Sequence, residues 1–109
     1  MSKLAFTPEV LELIAARFKA LAEPARLQIL QCLRGGERTV TELVEETGYG
    51  QANMSKHLQQ LLALGFVRRR KEGLFAYYGL ADKSVLQLCD IMCGRLETEM
   101  KARSKLLSA

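Results

Sequence analysis

The stretch from Thr39 to Val67, TVTELVEETGYGQANMSKHLQQLLALGFV, constrains this chain more than any other. Thr39 and Glu42 have the T-x-x-E spacing of a capping box, in which hydroxyl and carboxylate each take up a backbone N–H left unpaired by the first helical turn. A helix therefore starts here and packs through Val40, Leu43 and Val44. Gly48 and Gly50 flank a tight turn. A second helix is expected from about Gln51 to Leu64, with Gly65 capping its end. At 100° per residue, Leu58, Leu61 and Leu62 fall within about 80° of Met54 and make an apolar stripe. Ala52, Asn53, Lys56 and Gln59 fall on the opposite side.

That outward set has a chemistry. Asn and Gln amides pair bidentately with an adenine edge, and Lys donates to guanine or to phosphate. Small Ala52 lets the backbone approach a surface. Gln51 opens the helix, whose N-terminus offers backbone N–H groups, and Ser55 on a flank suits a phosphate oxygen. His57, the only histidine, sits beside the stripe, where a DNA-backbone contact and a structural hydrogen bond are equally open. A solvated amphipathic helix is the bland reading, and the surroundings argue against it. Val67-Arg68-Arg69-Arg70-Lys71, then Glu72-Gly73, then Leu74 to Leu80 read as two strands and a turn. A basic hairpin directly after a reading helix is a wing. Alternation sends its cations to both faces. Arg68, Arg70 and Lys71 are the phosphate candidates, and Glu72 at the tip opposes close approach.

The remainder supports this centre. Thr7-Pro8 opens a first helix with Val10, Leu11, Ile14, Phe18 and Leu21 on one face. Pro24 opens a second, through about Leu33, with Leu27, Ile29, Leu30 and Leu33 as core residues, and Gly35-Gly36 ends it. From Asp82 to about Leu107 runs one long helix whose apolar residues are Val85, Leu86, Cys89, Met92, Cys93, Leu96 and Met100. So small a domain cannot cover that length, so the helix is expected to face a second copy. The 109 residues suffice for one domain, 1–109, mainly α with a small β-hairpin: about five helices and a two-stranded wing. The helix-turn-helix occupies 39–64, the wing 67–80 and the last helix 82–107. A net charge of +4 is compatible with nucleic acid. No apolar run approaches the roughly 20 residues of a membrane span, and the first ten residues lack a signal-peptide core. A cytoplasmic protein with reduced cysteines is expected.

Several segments jointly resemble one family. Leu21-Ala22-Glu23-Pro24-Ala25-Arg26-Leu27-Gln28-Ile29-Leu30 looks like the second-helix signature L-x-x-P-x-R-x-x-I-L of the bacterial arsenical-repressor (ArsR/SmtB) group of winged-helix repressors. Gln51-Ala52-Asn53-Met54-Ser55-Lys56-His57-Leu58 is similar to its recognition helix. Gly65-Phe66-Val67 with the following cations, and Tyr77-Tyr78-x-Leu80, resemble its wing. The match covers about residues 10–108. It implies a homodimer built on the first and last helices, an inverted-repeat DNA operator, and repression relieved by a signal. It also implies that Gln51, Asn53, Ser55, Lys56 and His57 belong to the DNA-reading helix. The chain departs from the best-known members at their sensor sites. The segment matching the Cys-x-Cys of arsenite and cadmium sensors, Glu37 to Leu43, has no cysteine, and the last helix has no histidine for a zinc- or nickel-type site.

Cys89 and Cys93 remain, spaced i and i+4 on one face of the last helix. Across a two-fold axis up to four thiols would gather there, suited to a soft ion such as zinc, cadmium or trivalent arsenic. Some members of the family that this chain resembles link a second-helix cysteine to a last-helix one, and that resemblance makes Cys32 the candidate partner for a redox variant; simple packing is the bland reading. The expectation is a sequence-specific repressor released by a thiol-reactive or thiophilic inducer. The alternative is an inducer-independent winged-helix module that binds DNA or protein. An enzyme is not indicated: there is no nucleophile–base pair and no phosphate loop.

Overall fold

The computed structural model describes residues 4–108. The two ends of the expected domain 1–109, and with them the start of the segment read for a signal sequence, lie outside the described residues. The chain runs α1 (Pro8–Leu21), α2 (Pro24–Cys32), a 3₁₀ turn (Leu33–Gly35), β1 (Arg38–Thr39), α3 (Val40–Thr47), α4 (Gln51–Ala63), β2 (Val67–Glu72), β3 (Phe75–Leu80) and α5 (Ser84–Leu107). Helix starts follow local chemistry. Thr7 caps α1, its hydroxyl accepting the Val10 N–H at 3.3 Å, with Pro8 at the first helical position. The expected capping box opens α3 in full: Thr39 Oγ1 accepts the Glu42 N–H at 3.2 Å, and Glu42 Oε1 accepts the Thr39 N–H at 2.9 Å.

The core lies where α2, α3 and α4 meet the sheet. Ile29, Leu30, Leu43, Met54, Leu58 and Leu61 are wholly buried there, with Val67, Tyr78, Val85 and Leu86 around them. Two expectations need correction here. Leu62 does not join the α4 stripe, because the helix turns it outward and it is exposed. Leu27 is only half-buried, whereas Arg26, not expected among the core residues, is buried in its place.

The sheet is also larger than expected. It has three antiparallel strands in the order β1-β3-β2, so the two-stranded wing is corrected to a hairpin with a short third strand along β3. Arg38 pairs with Tyr78 and Thr39 with Tyr77. A two-residue strand carries no periodic pattern, and 38 and 40 positions separate the paired residues, so nothing local announces it. The turn shifts by one residue: Glu72 pairs with Phe75, leaving Gly73-Leu74 as a two-residue loop. Gly73 has φ +59°, at the position where a type II′ turn requires glycine.

The outer helices contrast with this core. In α1 only Ala20 is buried, and Leu11, Leu13 and Phe18 are exposed. In α5 only Val85 and Leu86 are buried, and from Ile91 to the end every described residue is exposed. Among the described residues no helix is long and apolar enough to cross a membrane.

Candidate nucleic-acid interface

The turn between α3 and α4 is three residues long, Gly48-Tyr49-Gly50, and it is pinned rather than loose. The Tyr49 hydroxyl donates to Gln28 Oε1 of α2 at 2.8 Å, and Thr47 Oγ1 accepts the Tyr49 N–H. With Met54, Leu58 and Leu61 sunk in the core, the rotation of α4 about its own axis is set. Ala52, Asn53, Lys56 and Gln59 are exposed along the far side, as the helical wheel predicts; Gln51 is exposed at the helix start, and Ser55 is half-buried on the flank. Among the described residues, none of these side chains makes a hydrogen bond or ion pair within the protein. They form a row of donors and acceptors with capacity to spare.

His57 behaves differently. Its side chain is 15% exposed, and its Nδ1 accepts a hydrogen bond from Arg26 Nε at 3.1 Å. Arg26 also donates through Nη1 to the Ala20 carbonyl, near the end of α1, at 3.2 Å. Glu23 Oε2 lies 3.6 Å from both Arg26 Nε and His57 Nδ1. Of the two uses open for His57, the structural hydrogen bond is present. Arg26 thereby joins α1, α2 and α4, and a buried guanidinium needs such acceptors. In the sequence Arg26 stands out only as part of the second-helix signature. Its position on the inner side of α2 among Ile29 and Leu30 was the available signal.

The wing divides its cations by strand phase. Directly paired residues share a face, and the register pairs Val67 with Leu80, Arg69 with Tyr78 and Lys71 with Ala76. Arg69 and Lys71 therefore lie on the face that carries buried Val67 and Tyr78. Among the described residues neither has a hydrogen-bonded or ionic partner. Arg68 and Arg70 lie on the other face and are engaged internally. Arg68 Nη1 donates to the Leu80 carbonyl at 2.8 Å. Arg70 reaches Glu37 Oε1 through Nη2 at 2.9 Å, pairs with Glu72, and stands 4.7 Å above the Tyr77 ring. The guanidinium of Arg70, with Arg68 behind it, holds the Glu37 carboxyl below the usual carboxylate range. Arg69 was absent from the expected set, and Glu37, thirty-three positions before Arg70, gave no sign of its role.

The three cysteines are free and differ in exposure. Cys32 is half-buried beneath α3. Burial pushes its thiol up, and a hydrogen bond to the Glu46 carboxylate pushes it further, so it resists becoming a thiolate. Cys89 is half-buried on α5, while Cys93 is exposed and donates to Glu97 Oε1 at 3.8 Å. Among the described residues of a single chain, no group of three or more His, Cys, Asp or Glu side chains could hold a metal ion.

Known proteins share this architecture. Residues 23–69, from the N-cap of α2 into β2, match the family described as "Bacterial regulatory protein, arsR family". A "probable mercury resistance operon repressor" of Streptomyces lividans is 42% identical over 71 residues, which are 65% of this chain and 57% of that protein. The chain thus spans little more than half the length of that relative. An uncharacterized HTH-type transcriptional regulator of Methanocaldococcus jannaschii is 36% identical over 75% of this chain and 97% of its own length. The solution structure of a homodimeric winged helix-turn-helix DNA-binding domain from Mycobacterium bovis superposes with a TM-score of 0.75. It is 34% identical, over 89% of this chain and 91% of that one. With likeness in sequence and in fold both running through the helix-turn-helix, the chain belongs to the arsR family of bacterial regulatory proteins.

Proposed function

We propose that this protein is a homodimeric transcriptional repressor that reads an inverted-repeat operator with α4 of each copy. The observation that carries the reading is the split of α4: one side wholly buried, the other a row of uncommitted polar side chains. In this reading Gln51, Asn53, Lys56 and Gln59 meet base edges in the major groove. Ser55 and the α4 N-terminus take phosphates. His57 serves through Arg26, holding the helix in place. On the wing, Lys71 and Arg69 supply the phosphate contacts, while Arg68 and Arg70 are occupied by Glu37. The exposed apolar faces of α1 and α5 meet their counterparts in the second copy, which sets the two reading helices about one DNA turn, ~34 Å, apart.

Release follows from movement of α5. Cys89 and Cys93, one turn apart, face the side on which the second copy would pack, and thiols gathered there suit a thiophilic ion or a thiol-reactive inducer. The name of the Streptomyces relative points to one such metal, mercury. The raised Cys32 thiol is poorly suited to react first. A coupling of about 1–3 kcal/mol between inducer and DNA would reduce occupancy strongly.

The test is fluorescence anisotropy on a duplex that the protein itself selects from a random-sequence pool. Lys56→Ala should weaken binding by about 1–3 kcal/mol, the worth of one good base contact. Equal affinity for selected and random duplexes, with Lys56→Ala silent, would refute the reading. Serine at all three cysteine positions separates the two modes of control: DNA release by mercuric ion should vanish, and unchanged release would leave the cysteines as packing.

A further inference from the structure

Wing and reading helix must keep a fixed offset if both are to meet one duplex. Covalently they are joined only through Leu64-Gly65-Phe66, a short segment with Gly65 at φ +79°. A second attachment lies on the far side of the sheet. Glu37, in the loop before β1, grips Arg70 through Nη2 at 2.9 Å and Nε at 3.2 Å, and its Oε2 lies 3.6 Å from Arg68 Nη2. Its side chain is only 25% exposed, low for a loop carboxylate. The next two residues pair with β3, and the second of them, Thr39, caps α3. The wing is thereby wired to the first helix of the helix-turn-helix.

Gly79 shows that this attachment is built into the strand. A glycine inside a strand weakens it unless something must come close. A Cβ at Gly79 would stand 3.2 Å from Glu37 Cγ, 3.3 Å from Arg68 Nη2 and 3.4 Å from Arg68 Cζ. Gly79 is the gap through which the two side chains meet across β3. Tyr77, stacked under Arg70, closes the other side.

We infer that Glu37 is a positioning residue for DNA recognition. By holding Arg68 and Arg70 over the gap at Gly79, it fixes the wing so that Arg69 and Lys71 reach the DNA backbone at a set distance from α4. The inference rests on the assignment of α4 and the wing to DNA made above. It assigns Arg68 and Arg70 a structural use, and it makes an acidic residue necessary for tight binding to a polyanion.

Three variants test it, compared at a temperature well below each variant's melting point, on the selected duplex and on a random duplex across a salt series. Glu37→Gln keeps the shape and removes the charge. Gly79→Ala fills the gap without altering charge, and Arg70→Lys keeps charge but loses the forked donor. All three should weaken binding to the selected duplex by about 10-fold, lower its salt slope by about one to two phosphate contacts, and leave random-duplex affinity within about twofold. Wild-type affinity in Glu37→Gln and Gly79→Ala would overturn the inference. So would a rise in affinity for both duplexes with a steeper slope in Glu37→Gln, the mark of an acid that merely masks two arginines. Failure of the underlying reading is distinguishable, because then wild-type protein itself would not separate the two duplexes.

Discussion

The helix-turn-helix body and the two outer helices use apolar residues to opposite ends. In α2, α3 and α4 the large apolar side chains meet one another, and six of them have no solvent exposure. In α1 and α5, Leu11, Phe18, Ile91, Met92, Leu96 and Met100 are 49–67% exposed. Both regions look amphipathic in sequence. The difference is that the body closes on itself within one chain, whereas a 24-residue helix projects beyond anything a single chain can pack against it. An exposed apolar face of that extent marks an interaction surface. The body is accordingly built for stability and the outer helices for association.

The largest effect that could break this contrast is in the body. Leu58→Ala should cost about 2–5 kcal/mol of folding stability by the loss of packing and the cavity left behind, read from urea denaturation. A cost below about 1 kcal/mol would mean that the core is not where the buried residues place it. Next is association. Ile91→Glu should leave the body folded by circular dichroism and turn a dimer into a monomer in sedimentation velocity. Operator affinity should fall by about 100-fold or more with loss of the second half-site. A variant that stays dimeric would move the interface off this face. The link between the two regions comes third. Arg26→Met keeps an apolar stem but leaves the Ala20 carbonyl and His57 Nδ1 without their donor. It should cost about 1.5–3 kcal/mol, the worth of hydrogen bonds from a charged group.

The smallest effect concerns acid. The Glu37 carboxyl lies below its ordinary value because the fold prefers it ionised against Arg70. Its contribution is therefore complete above the unfolded carboxylate value of about 4.3 and is lost as pH falls through the lowered folded value. Urea midpoints measured from pH 6 down to pH 3 should fall less steeply in Glu37→Gln than in wild type. Parallel curves would show that the Glu37–Arg70 pair adds nothing to the stability of the wing.

Much of the molecule could be read from residues a few positions apart. Thr7-Pro8, the Thr39–Glu42 box and the spacing of Met54, Leu58 and Leu61 are local signals, and each acts within one or two helical turns. They determined the helices, the turn between α3 and α4, and which side of α4 faces outward. A hairpin after α4 was equally legible from two short runs around Glu72-Gly73. Tertiary structure decided the rest. Arg26 meets His57 across 31 positions, Glu37 meets Arg70 across 33, and Arg38 pairs with Tyr78 across 40. In sequence, strand alternation divides the four cations from Arg68 to Lys71 between two faces, but nothing shows which of them an acid already holds. Among the described residues, strand phase and one carboxylate from a distant loop leave Arg69 and Lys71 without a partner and hold Arg68 and Arg70. Charge type is written in the chain, but which charge is already neutralised depends on what the fold brings within about 4 Å of it, where Coulomb attraction and hydrogen bonding act.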